Sequence, residues 1–221
     1  MHTTTEKNAD ATVTTARAKT LLIGGGLLLL GGVLEAIGPF GWGELLEMSV
    51  LFPRLLVLSS AVVFAVGVGA GAALAGTRPL SRIALILLGF SSFVSLMAPD
   101  VFMLVVFFGY LVPPVILQPT VIITVAASAL LPVAFAVIAG VSIGRARVMP
   151  NPWAWVPLPL LVLGVAAGTL QALIYSRLTP LTDSYAGARL ELVHTVIPLL
   201  LGGLAMAVGL VLARRRAVSS R

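Results

Sequence analysis

Long apolar runs, separated by short breaks that carry Arg, Pro or Trp, set the pattern of this chain. The runs cover residues 20–37, 55–76, 81–98, 121–144, 156–175 and 192–212. Most approach or reach the roughly 20 residues that a helix rising about 1.5 Å per residue needs to cross a hydrocarbon layer about 30 Å thick. Backbone facing lipid has to satisfy its own hydrogen bonds. No short alternating segments of the kind that build a membrane barrel are visible. The pattern therefore predicts six transmembrane helices.

A seventh apolar stretch, residues 98–120, lies between the third and fourth runs. It opens on Pro99-Asp100 and is broken by Pro113-Pro114 and Pro119. Whether it crosses decides which side every later residue faces. The polar ends read as a mobile cytoplasmic tail over residues 1–19 and a basic cytoplasmic tail over 214–221, flanking a transmembrane helical domain over 20–213. Residues 39–54, with Phe40 and Trp42 beside Glu44 and Glu47, read as a short helix in the interface, where aromatic rings favour the headgroup level. Trp153 and Trp155 mark a second interface position. Residues 176–191 read as a polar loop.

Composition agrees with the pattern. Hydrophobic residues make up 59% of the chain, charged residues 10%, and mean hydropathy is +1.09. Soluble domains carry about a quarter charged residues, so composition points to an integral membrane protein. Glycine, 22 residues in all, is read as a packing device: Gly24, Gly25, Gly31 and Gly32 flatten the first span. The pairs Gly67-x-x-x-Gly71, Gly140-x-x-x-Gly144 and Gly164-x-x-x-Gly168 allow close helix approach in the same way. The absence of cysteine excludes disulfides and thiolate metal sites. Twelve Arg against two Lys, with abundant Ala and Gly, fit a GC-rich bacterial genome.

Charge then sorts the loops. If residues 98–120 do not cross, eleven of the fourteen basic residues share one side with both termini, and only Arg54, Arg177 and Arg189 lie opposite. If they do cross, making seven spans, the division is seven to seven. Because Lys and Arg near span ends collect on the cytoplasmic side, the six-span arrangement is expected. The protein is then multi-pass in the bacterial plasma membrane, with both termini cytoplasmic. Residues 98–120 become a re-entrant or interfacial element, tolerated at depth where protein covers it or it lines a wet cavity.

Candidate chemistry follows from this sidedness. Asp100, Glu191, His194 and Glu35 are the ionisable residues that a substrate or proton pathway would use, all toward the outer side. An ionisable group at membrane depth is costly and so points to function, although at a span end it is simply solvated. Glu191 and His194 are three apart, hence on one helix face. That spacing occurs in pairs in carboxylate-bridged metal sites, but here it occurs once, and no metal or other cofactor is expected. Ser91, Ser92, Ser95, Thr124, Ser128, Thr169 and Gln171 either line a polar path or bond between helices.

No phosphate-binding G-x-x-x-x-G-K-[ST] occurs, so any ATP-driven role needs a separate ATPase subunit. Neither H-E-x-x-H nor G-x-S-x-G is present. The leading expectation is a transporter or permease-type subunit for a small solute. A non-catalytic accessory or assembly subunit is the second, and an outer-face enzyme using Glu191, His194 and Asp100 the third. Expected partners are the lipid bilayer and another copy of the chain or a separate membrane subunit. No nucleic acid is expected.

Overall fold

A computed structural model describes residues 3–37, 46–69, 71–74, 76, 78–91, 114–146, 149, 153–178 and 184–219, with side chains over 12–37, 51–69, 71–74, 76, 78–91, 130–146, 149, 153–167 and 196–215. The described chain is helical, without strands. The helices are α1 (Thr3–Ile37), α2 (Leu46–Val66), α3 (Pro79–Ser91), α4 (Pro114–Ala146), α5 (Pro157–Leu178) and α6 (Ser184–Ser219), with a 3-10 turn at Trp153–Trp155. Among the described residues, Thr12–Ile37 and Val196–Arg215 form two helices long and apolar enough to cross a membrane. Leu51–Val66, Pro79–Ser91, Leu130–Ala146 and Trp153–Ala167 are shorter apolar helices.

Several boundaries depart from the hydropathy reading. Helix α1 does not wait for the apolar run: it starts at Thr3 and takes in the segment expected as a mobile tail. Helix α6 likewise starts at Ser184, inside the expected polar loop, and continues to Ser219 through the basic tail. Ala, Leu and Arg have high helix propensity, which lets α6 continue through its basic end where hydropathy falls, whereas the Thr-rich start of α1 is not explained by propensity. Helix α2 starts at Leu46 and passes through Pro53, merging the expected interfacial helix with the second span. Of the central stretch, residues 114–120 form the first two turns of α4, and residues 98–113 lie outside the described set. Pro114 suits a first helical position, where its missing N–H has no partner to lose.

Successive helices alternate in direction. Leu21 and Leu22 lie against Gly209, Gly25 against Gly202 and Gly32 against Leu199, so α6 is antiparallel to α1. Gly31 meets Pro53 and Leu56, and Gly24 meets Phe64, so α2 is antiparallel to α1 as well. Gly89 sits on Leu58 and Ala61, and Gly140 on Leu158, which sets α3 against α2 and α5 against α4. The doubled glycines of α1 thus serve two neighbours: Gly24 and Gly31 face α2, and Gly25 and Gly32 face α6. Helix α1 packs most extensively on α6, then on α2. One core cluster joins Leu21, Leu74, Ile143, Met149, Ala154, Ala205 and Val208; a second joins Ala65, Leu85 and Ala139.

Candidate functional site

The largest irregular feature of the described chain is residues 67–76, G-V-G-A-G-A-A-L-A-G, read from hydropathy as the last turns of the second span. The structure corrects that reading. Helix α2 stops at Val66, and Gly67, Gly69, Gly71 and Gly76 all take positive φ. Glycine is about 1 kcal/mol less favourable than alanine inside a helix, and the four glycines at 67, 69, 71 and 76 each take a positive φ that an α-helix does not contain. Gly67, at φ +80°, ends the helix as a left-handed cap whose N–H donates to Val63 O at 2.8 Å. Gly67-x-x-x-Gly71 is therefore a turn element and not a helix-packing pair.

Beyond Gly67 the chain folds back onto the bundle. Leu74 N donates to Phe64 O at 2.9 Å, taking up another carbonyl left open at the end of α2. Ala72, Ala73 and Leu74 are buried, Leu74 within the same cluster as Leu21, Ile143 and Val208. Backbone that leaves helical geometry inside a bundle needs polar partners from its surroundings. The hydroxyl of Thr20 accepts from Val68 N at 2.8 Å while donating to Ala16 O at 2.9 Å. Arg17 Nε donates to Gly71 O at 3.3 Å and Arg82 Nε to Gly76 O at 3.0 Å. Sequence reasoning did not single out Arg17, Thr20 or Arg82. The signal was present as glycine at every second position from 67 to 71, which suits neither a helix face nor a strand.

The loop also marks the electropositive end of the molecule. Arg17 and Arg82 bind it, Arg78 precedes Arg82 by one turn, and Arg145 precedes Ala146, which lies against Gly76. Lys19 lines a cleft with Leu212 and Ala213, and Arg214 and Arg215 follow directly. Seven of the eight basic residues with described side chains are thus gathered at this end. The eighth, Arg54, lies at the other end of α1 and α2, where it interacts electrostatically with Glu35. Glu35 is the one acid with a described side chain.

Of the residues proposed from sequence, Glu35 is therefore placed at the α1–α2 contact, half-buried and engaged with Arg54. Asp100 lies outside the described residues. Glu191 and His194 fall within α6, about one turn apart, and their side chains lie outside the described set. Among the described residues no three His, Asp or Glu come together as a metal site. Of the polar path candidates, Ser91 donates to Leu88 O at 2.6 Å, and the other six side chains lie outside the described set. Ser60 donates to Gly24 O at 2.8 Å, linking α2 to α1, and Ser142 to Ile138 O at 2.6 Å. Every buried side-chain nitrogen and oxygen among the described residues has a partner. Comparison with known protein families, curated proteins and solved structures finds no match.

Proposed function

We propose that this chain is a six-span integral membrane protein with both termini on the cytoplasmic face, serving as a non-catalytic helical subunit that assembles with a membrane partner. The lengths of the helices support five of the spans: α1, α2, α4, α5 and α6 hold 35, 21, 33, 22 and 36 residues, each long enough for a bilayer crossing, while α3 is described over Pro79–Ser91 alone. Helix α3 runs away from the basic end and α4 runs back toward it, which supports placing the end of α3 and the start of α4 on one side. Gathering of basic residues at the end shared by the two termini supports a cytoplasmic assignment for that end.

The observation that carries the assembly reading is the closure of polar groups onto the protein's own backbone. Ser60, Thr20, Ser142, Arg17 and Arg82 each donate to a main-chain carbonyl. Ser60 joins α2 to α1, and Arg17 and Arg82 hold the loop, while Thr20 and Ser142 bond one turn back within their own helices. Purifying tagged chain from its native membrane in a mild detergent tests the reading. A partner at fixed stoichiometry, retained in Asp100→Asn, is expected; a chain that purifies alone contradicts it.

A permease-type subunit for a small solute is the second reading, favoured by the non-helical loop between α2 and α3, whose Ala72, Ala73 and Leu74 are buried against the bundle. On this reading Asp100→Asn or alteration of residues 98–113 abolishes solute movement while the chain remains folded.

A further inference from the structure

At the basic end, α1 and α6 border an open cleft of about 250 Å³ lined by Thr14, Thr15, Ala18, Lys19, Leu22, Leu212 and Ala213. Its lining changes character along the helix axis. Thr14 and Thr15 stand toward the start of α1, Lys19 one turn on, and Leu22 deepest, a span of about 12 Å at the helical rise. Helix α6 runs the other way, so Leu212 stands beside the deep end, and Arg214 and Arg215 beside the polar end. Lys19, Arg214 and Arg215 are exposed; Asp10 stands on α1 one turn before Thr14, its side chain outside the described set. A polar, cationic mouth above an apolar base matches an amphiphile whose anionic head sits at the membrane surface and whose chain descends.

We infer that this cleft is a binding site for the headgroup and upper acyl chain of an anionic phospholipid. Lys19 contacts the phosphate, Arg214 and Arg215 supply the surrounding positive field, and the acyl chain runs along Leu22 and Leu212. The occupant is a bilayer lipid, and not a soluble phosphate ester, because Ala18, Leu22, Leu212 and Ala213 offer a soluble anion only apolar surface. Bound lipid would tie the first and last helices together at the level of the cleft. The inference rests on the six-span reading for its membrane setting.

The test is a titration of purified full-length protein in detergent, followed by native mass spectrometry, with phosphatidylglycerol and phosphatidylcholine of the same acyl chains. Preferential retention of one phosphatidylglycerol is expected. Lys19→Ala should weaken it about five-fold, the effect of one basic residue near an anionic surface. Lys19→Arg should restore it. Ala213→Trp, which fills the cleft without changing charge at an exposed position, should abolish it. Arg78→Ala removes the same charge from an exposed position outside the cleft and should leave retention unchanged. Equal retention of both lipids, or equal loss in Lys19→Ala and Arg78→Ala, overturns the site. Because detergent removes sidedness, failure here leaves the topology standing. Wrong-side labelling of cysteines in intact cells would instead break the topology and leave the titration untouched.

Discussion

Glycine does opposite work in two regions of this molecule. Along α1 and α6 it stays helical and removes bulk: a Cβ on Gly202 would lie 2.7 Å from Leu29 N and 2.9 Å from Gly25 O. In residues 67–76 it ends a helix and turns the chain at four positive-φ positions. Spacing alone does not separate the two uses, since Gly67-x-x-x-Gly71 and Gly140-x-x-x-Gly144 share it. Nor does glycine number, since Gly24, Gly25, Gly26, Gly31 and Gly32 put five glycines in nine residues of a continuous helix; what separates them is what the backbone meets. Gly140 and Gly144 sit among Ala, Val, Ile and Ser, so the helix survives, with Leu158 and Trp155 packed against them. Around Gly67, Gly69 and Gly71 the backbone groups freed from the helix are taken up by Thr20 and Arg17, so the chain can turn.

Substitutions at glycine sharpen this contrast. The largest effect is expected for Gly67→Ala. Its φ of +80° is unfavourable for an L side chain, and a Cβ would lie 2.5 Å from Ala73 N. Left-handed strain of about 1–2 kcal/mol and overpacking of about 1–3 kcal/mol combine here, and the midpoint of SDS-induced unfolding should fall accordingly. Gly202→Val comes next, at about 1–3 kcal/mol, because α6 can admit the side chain only by moving away from α1. Gly71→Ala should lose only about 1–2 kcal/mol from strain, since the nearest side chain, Val13, is 3.7 Å from the added Cβ. Gly26→Ala should be neutral or stabilising by up to about 1 kcal/mol, because a Cβ there meets nothing within 4 Å. A midpoint for Gly67→Ala equal to that of Gly26→Ala would end the distinction.

Much of the helical organisation was legible in the pattern of apolar runs, because burial in lipid or protein demands long unbroken apolar stretches. Thus α1 ends at Ile37 as the sequence implies, and α5 starts one residue from its expected position. Hydropathy could not find the helical starts at Thr3 and Ser184, where polar residues continue a helix without continuing an apolar surface. It also missed the loop at 67–76, since Gly, Ala, Val and Leu are apolar whether helical or not. The candidate site was less legible. Arg17 was assigned to a tail, yet its guanidinium holds a loop carbonyl 54 residues away. Thr20 was read only as the first residue of a span, and its dual hydrogen bonding depends on that same distant loop. Glu35 was read as free to reach outward, whereas its engagement with Arg54 needs α2 alongside.

The central claim, that the basic end is cytoplasmic on both sides of the central stretch, is tested most directly by single cysteines at Arg78 and Ser219. The chain has no native cysteine to confuse the signal. Intact cells are treated with a membrane-impermeant maleimide, with permeabilised cells as the positive control. Labelling of both positions only after permeabilisation is the predicted result. Labelling of Ser219→Cys in intact cells while Arg78→Cys stays protected would mean that the chain crosses the membrane between α3 and α4, and would contradict the account.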